Sequence, residues 1–169
     1  MVLIRDERSG DENAVRDLTE RAFAPMAFSD GSEPAIVDAL RQAGNLTISL
    51  VAEDDGGIIG HVAFSPVKVD GAEAGWFGLG PISVEPARQR QGIGKALMAQ
   101  GLDRLRAKGA SGCALIGNPD VYNSSGFVSD GELAYDDLDR RYVMRIVFFG
   151  PAPRGILEFA PAFEQAKVR

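Results

Sequence analysis

The stretch Ile82-Ser83-Val84-Glu85-Pro86-Ala87-Arg88-Gln89-Arg90-Gln91-Gly92-Ile93-Gly94-Lys95-Ala96-Leu97 decides how this chain is read. The residues up to Val84 indicate a strand, Pro86 a turn, and Gly92 the opening of a helix. That order gathers several unpaired backbone N–H groups of the helix start around one point. The glycines at 92 and 94 let a ligand approach the backbone with no Cβ in the way. The helix dipole, with Arg88, Arg90 and Lys95 beside it, then favours a doubly charged group such as a pyrophosphate. Two other phosphate loops are excluded. A Walker A motif needs Gly at position 89, which is Gln, and a dinucleotide fingerprint needs Gly or Ala at position 97, which is Leu. The fingerprint also requires a parallel βαβ unit, which the flanking sequence does not supply. A glycine-rich helix start that binds nothing is the competing reading of the same residues.

Upstream, residues 2–5 read as a strand and residues 11–23 as a helix, with Ser9 and Glu12 at capping-box spacing. Residues 24–31 read as a loop. Ser32-Glu33-Pro34 opens a second helix that Gly44 ends. The period then changes: Leu46, Ile48 and Leu50 alternate, Asp54 to Gly57 makes a hairpin, and strands over 58–69 and 75–84 complete an antiparallel meander. Downstream, Leu97, Met98, Leu102 and Leu105 share one face of a third helix closed by Lys108-Gly109. Residues 112–117 form an apolar strand, followed by a short helix near 119–125, a strand around Phe127 and another over 142–149. Pro151 and Pro153 precede a last apolar stretch over 155–159. The order predicts one α/β (α+β) domain over residues 1–169, a single mixed, mostly antiparallel sheet flanked by helices.

Composition narrows the function. At 169 residues, 45% hydrophobic and 25% charged, the chain is that of a globular domain. Its net charge of −6 disfavours nucleic acid as a partner and mildly favours a cationic one. No stretch approaches a membrane span, and the N-terminal residues turn charged too soon for a signal peptide, so no membrane partner is expected. The lone Cys113, in an apolar run, points to a reducing, cytoplasmic setting. With one Cys and one His, no metal site of the usual zinc type is expected.

Gln89-x-x-Gly92-x-Gly94 after a strand and Pro86 resembles the acetyl-CoA motif of the GNAT superfamily of N-acetyltransferases. A second element, Tyr122-Asn123-Ser124-Ser125-Gly126-Phe127, resembles that family's Tyr-x-x-x-Gly-Phe segment. The order of elements is also similar over nearly the whole chain. Tyr142 to Ile146, Gly150-Pro151 and Ala160 to Phe163 are similar to the bacterial YhbS-like branch. The resemblance implies a GNAT-like acyl-CoA N-acyltransferase fold, acetyl-CoA as cosubstrate, and direct transfer of an acetyl group to an amine of a small molecule or protein.

Carried over by position, the resemblance assigns the pantetheine arm to the backbone of Ile82, Ser83 and Val84. The pyrophosphate falls to Gln89, Arg90, Gln91, Gly92, Ile93, Gly94 and Lys95, and Asn118 joins the cofactor-binding set. Tyr122 becomes the acid that protonates the departing thiolate, a role open to a phenol because it is neutral at pH 7. The Ile82 N–H is the candidate oxyanion donor. For the acceptor, Phe28, Ser29 and Glu33 are candidates, each with an equally good reading as a loop or helix-start residue. No clear general base stands out: His61 reads as a satisfied sheet histidine and Glu85 as a loop charge. A non-catalytic acyl-CoA sensor and a protein-interaction domain are the alternative functions. The strand-rich C-terminus is where a homodimer would pair.

Overall fold

The computed structural model describes residues 1–167. Along the chain, β1 (Leu3–Asp6) leads into α1 (Glu12–Phe23) and α2 (Glu33–Gln42). β2 (Ile48–Asp54), β3 (Gly57–Pro66), β4 (Lys68–Val69) and β5 (Trp76–Val84) follow, then α3 (Ile93–Ala107) and β6 (Gly112–Ile116). The last third holds α4 (Pro119–Tyr122), β7 (Leu133–Ala134), β8 (Val143–Val147), β9 (Gly155–Glu158) and α5 (Pro161–Lys167). One sheet runs β1-β2-β3-β5-β6-β8 and a small one runs β4-β9-β7. All neighbours in the large sheet are antiparallel except β5 and β6, which are parallel.

Strand alternation sorts the side chains between two layers. Leu50, Ala52, Val62 and Phe64 face α3, where they meet Leu97, Met98, Leu102 and Leu105. Val51 points the other way and packs with Val15 of α1 and Val37 of α2. Trp76, Ala114, Leu133, Val143, Leu157 and Phe159 form a second apolar cluster that ties the small sheet to the large one. Leu18, Leu40, Leu50, Phe64, Leu97 and Leu105 are fully buried, and each such side chain contributes about 1.5–3 kcal/mol relative to exposure.

Three local expectations are revised, and one element stands where none is expected. The Ser9–Glu12 capping box does not form, because Asp11 takes the helix start. Its carboxylate accepts the Arg8 N–H at 2.9 Å and pairs with Arg5 at 2.7 Å, an ion pair that outcompetes a serine hydroxyl. The strand expected over 58–69 divides at Pro66, since Asp70 clamps β4 to β9 through bonds to Ile156 N–H (2.7 Å) and Ile156 C=O (2.8 Å). Around Phe127 there is no strand; the ring is buried, and only Val128 bridges to Arg145. Finally, the segment after Phe159 folds as α5, packed on α2 through Phe163, Ala160 and Ala162 beside Ile36 and Leu40.

Candidate active site

The parallel pairing of β5 and β6 is short. It covers Trp76, Phe77 and Gly78 against Gly112, Cys113 and Ala114, after which Leu115 and Ile116 pair only with β8. From Leu79 onward the β6-side edge of β5 is therefore open, and the sheet forks. A bulge sharpens this: Val62 pairs with Ile82 and Phe64 with Leu79, so Gly80 and Pro81 are the two residues set against Ala63. Glu85 N–H bonds Ile59 C=O at 2.8 Å, which fixes the ladder phase. By antiparallel alternation Ser83 exchanges bonds with β3, whereas Ile82 and Val84 turn their N–H and C=O into the fork. Two N–H groups with no backbone partner among the described residues, and two carbonyls, thus line this edge of the strand.

At the end of β5 a tight connection leads into α3. Gly92 stands immediately before the helix with φ +83°, a left-handed conformation that side-chain-bearing residues adopt only at a cost. The first helical bond runs from Ala96 N–H to Gly92 C=O at 3.0 Å, so the amides of Ile93, Gly94 and Lys95 have no partner within the helix. Gln89 closes the connection by donating to Val84 C=O at 3.2 Å. A cavity of about 520 Å³ lies here, lined among others by Ile82, Val84, Gln89, Gly92, Gly94 and Tyr122. Arg88, Arg90, Ile93 and Lys95 also border it. Positive charge, free amides and an open strand edge suit a chain with an anionic end and amide groups along its length, so these residues fit the CoA moiety of acetyl-CoA.

The basic residues are not equivalent. Arg88 is committed to Asp54 at 3.0 Å and also donates to Gln91 at 3.1 Å. Arg90 and Lys95 remain exposed at the cavity rim. Glu85, expected to be a loose loop charge, is held by Arg21 of α1 at 2.6 Å, which fastens α1 to the end of β5.

Tyr122 ends α4, and its ring packs edge-on to Phe127 with centroids 6.4 Å apart. The ring lies so close to the chain after β6 that a Cβ at Gly117 would collide with Tyr122 Cε2; only glycine fits there. The hydroxyl makes no hydrogen bond to the described residues, and burial raises its pKa above the ordinary phenol value. Tyr122 thus lines the cavity with its hydroxyl protonated and unbonded among the described residues.

A second cavity, about 360 Å³, opens on the other side of the fork. Gly80, Pro81 and Ile116 form its border with the fork, at the same strand ends that carry Ile82 and precede Tyr122. Phe23, Ile36, Tyr135, Phe159 and Phe163 supply apolar walls, and Asp30, Ser32 and Glu33 a polar corner. Glu33 Oε1 accepts the Ser29 hydroxyl at 2.5 Å.

Several expected site residues stand elsewhere. The Ser83 side chain is buried with no hydrogen-bond partner among the described residues, and its backbone is paired with β3, so neither part of Ser83 opens onto the fork. Asn118 caps α4 by accepting Asp120 N–H at 3.0 Å. Gln91 borders neither cavity and accepts from Arg88. Phe28 is 78% exposed, and neither it nor Ser29 lines the acceptor-side cavity. His61 is fully buried, bonds Ser49 Oγ through Nε2 at 2.8 Å, and is pushed down to about 3 by burial and by Arg41, which leaves it neutral. The buried Cys113 thiol is pushed up by burial, away from reactivity. Reading the sequence missed Met26, Met98 and Val121 at the first cavity, and the aromatic wall from β9 and α5 at the second. No local motif marks those residues; they reach the site only through long-range packing. Among the described residues no group of His, Cys, Asp and Glu is placed to hold a metal, and no helix is long and apolar enough to cross a membrane.

Comparison with known proteins accords with this geometry. The chain matches the acetyltransferase (GNAT) family over residues 13–127, which takes in α1, the meander, the connection to α3, and Tyr122. It is 39% identical over 127 residues to the uncharacterized N-acetyltransferase YhbS of Escherichia coli, covering 75% of this chain and 73% of that protein. A GNAT family acetyltransferase from Brucella melitensis, crystallised with acetyl-CoA, superimposes with a TM-score of 0.87 at 46% identity over 96% of this chain and 98% of that one. The crystal structure of E. coli YhbS with CoA superimposes with a TM-score of 0.88 at 30% identity, covering 96% of this chain and 92% of that one. The 39% identity to YhbS is over 127 residues, and the 30% identity is over 96% of this chain. With the matched family covering both the β5–α3 connection and Tyr122, the chain belongs to the acetyltransferase (GNAT) family.

Proposed function

We propose that this protein transfers an acetyl group from acetyl-CoA to a primary amine by direct attack, with the reacting centre in the fork between β5 and β6. One observation carries the reading. Two cavities, one with free amides and cations and one with apolar walls and carboxylates, meet at Pro81-Ile82 on one strand and beside Ile116 and Tyr122 on the other. The relatives bound to acetyl-CoA and CoA support the assignment of the first cavity to that cosubstrate.

When bound, acetyl-CoA supplies an acyl carbon already activated as a thioester. The chain's own residues do the rest. The open edge of β5 orients the pantetheine amides, and the first-turn amides of α3 with Lys95 hold the pyrophosphate. The Ile82 N–H, turned into the fork, is the donor for the oxygen that gains negative charge. A new N–C bond forms as the C–S bond breaks; of the two protons the ammonium loses, one goes to solvent and Tyr122 returns the equivalent of the other to sulfur. The raised pKa of Tyr122 suits this role, because it keeps the hydroxyl protonated well into the alkaline range.

The test is release of free thiol from acetyl-CoA in the presence of primary amines, with cosubstrate binding followed separately by thermal denaturation. Amine-dependent thiol release together with a raised melting temperature is expected. A raised melting temperature without thiol release from any amine would mark a sensor, and no shift at saturating acetyl-CoA would remove both readings.

A further inference from the structure

The face of the large sheet that looks toward α1 and α2 carries polar side chains to which acetyl transfer, as derived above, gives no task. Val51, His61 and Ser83 stand side by side on β2, β3 and β5. In the adjoining row Leu50, Val62 and Ile82 join the core under α3, so strand alternation turns Val51, His61 and Ser83 toward the two other helices. His61 is 0% and Ser83 2% exposed, and α1 lies across β3 and β5, so bulk water does not reach them. Yet His61 Nδ1 and Ser83 Oγ have no hydrogen-bond partner among the described residues. Buried polar atoms are nearly always paired, and here two unpaired ones are cross-strand neighbours. We infer that one buried water joins His61 Nδ1 to Ser83 Oγ, and that this bridge makes both side chains positioning residues for the Ile82 N–H.

The ladder sets the spacing. His61 and Ser83 face each other in the phase that joins Glu85 N–H to Ile59 C=O, and such hydrogen-bonded pairs hold their Cα atoms about 5.5 Å apart. The imidazole is tied from the other side: Nε2 bonds Ser49 Oγ of β2 at 2.8 Å. Ser49 and Ser83 flank β3 on opposite sides, and the ring held by the first leaves an interval before the second that one water spans. Burial and Arg41 keep the imidazole neutral, with one ring nitrogen a donor and the other an acceptor. Water suits either tautomer, because it both donates and accepts, and so does the serine hydroxyl. A chain Ser49–His61–water–Ser83 then crosses three strands. Its bearing on catalysis rests on the acetyl-transfer reading. Gly80 and Pro81 interrupt the ladder just before Ile82, and beyond Gly78 the β6-side edge of β5 is open. The backbone that carries the oxyanion donor is therefore paired on one side only. Ser83, the next residue, ties it to β3 through its side chain as well as its backbone.

A high-resolution crystal structure of the wild-type protein tests the bridge. Density for a single water about 2.7–3.2 Å from both atoms is expected. Ring and hydroxyl in direct contact, or a dry gap between them, would overturn it. Melting temperatures of Ser83→Ala, His61→Phe and the double variant test the same point in solution. The double variant should lose clearly less than the sum of the two single losses, since either change alone removes the shared water. Losses that add would contradict the bridge. For the positioning role, Ser83→Ala should lower kcat about tenfold with the KM for acetyl-CoA nearly unchanged. Ser83→Thr, which keeps the hydroxyl, should recover most of that loss. A wild-type kcat in Ser83→Ala, or an equal fall in Ser83→Thr, would remove the role. If the wild-type protein releases no thiol with any amine, the acetyl-transfer reading fails instead, and the density and the melts still judge the bridge.

Discussion

Two cavities meet at the fork of β5 and β6, and they are made of different materials. The one beside α3 is built largely from backbone: the free edge of β5 at Ile82 and Val84, and the first amides of the helix after Gly92. The one beside α2 is built from side chains contributed by α1, α2, β5, β6, the segment after β7 and the C-terminal β9–α5 unit. Backbone donors tolerate change in surrounding side chains and serve a ligand common to many enzymes. A wall of side chains is where one acceptor is told from another. The difference also predicts how each will fail when altered.

The largest effect is expected on the backbone side. Gly92→Glu places a side chain on a left-handed residue and an anion where the diphosphate should lie, so acetyl-CoA affinity should fall about a thousandfold, the several kcal/mol that two like charges cost. Calorimetric titration measures this, and full affinity would show that the amides after Gly92 are not the anchor. Next comes the junction. Tyr122→Phe should lower kcat about a hundredfold with acetyl-CoA affinity nearly unchanged. Because burial raises the Tyr122 pKa, its acid form persists to higher pH, so any loss of wild-type kcat from Tyr122 ionisation should have its midpoint above the ordinary phenol value of about 10. A fall in kcat with a midpoint well below that would contradict the role.

Smaller effects sharpen the contrast between loop charges. Lys95→Ala should cost roughly fivefold in acetyl-CoA affinity, since an exposed charge near an anion contributes about 1 kcal/mol. Arg88→Ala should cost no more than about twofold, because Arg88 is already paired with Asp54. Equal losses would mean that the Asp54 pair opens when the ligand arrives.

The smallest effect in the working range belongs to His61. Its folded pKa lies near 3, below the ordinary 6.5, so the unfolded chain binds the extra proton between those values. His61 therefore contributes no pH dependence above about 6.5, and stability declines as pH falls from there toward 3. Thermal melts from pH 8 to 4 check this against His61→Phe, whose melting temperature should decline less steeply below pH 6.5. Parallel curves for the two proteins would contradict this, because Asp11, held below the ordinary carboxylate range by Arg5, gives up its contribution only as pH falls below about 4.

These contrasts explain which parts of the molecule are legible in the sequence. The β5–α3 connection is written in sixteen consecutive residues, and its glycines and basic residues occupy the place the spacing implies. The meander is legible for the same reason, since hairpins join neighbours in sequence as well as in space. What escapes is long-range. The parallel contact of β5 with β6, the capture of β4 by β9 through Asp70, and the packing of α5 on the acceptor wall depend on pairs such as Trp76 and Gly112, Asp70 and Ile156, and Ile36 and Phe163, which are 36, 86 and 127 residues apart. Phe28 and Ser29 illustrate the limit within the site itself. Loop position alone points to both, yet Phe28 is exposed to solvent and Ser29 meets the cavity only through its hydrogen bond to Glu33.

The fork itself is tested most directly by a crystal structure with a bisubstrate conjugate, in which an amine is joined through the acetyl unit to the sulfur of CoA. Density for the diphosphate at the amides of residues 93–95, with the linker beside Ile82 and Tyr122 and the amine body among Phe23, Glu33 and Phe159, is the expected result. A conjugate that lies on one side only, or whose linker passes away from the gap between β5 and β6, would contradict it.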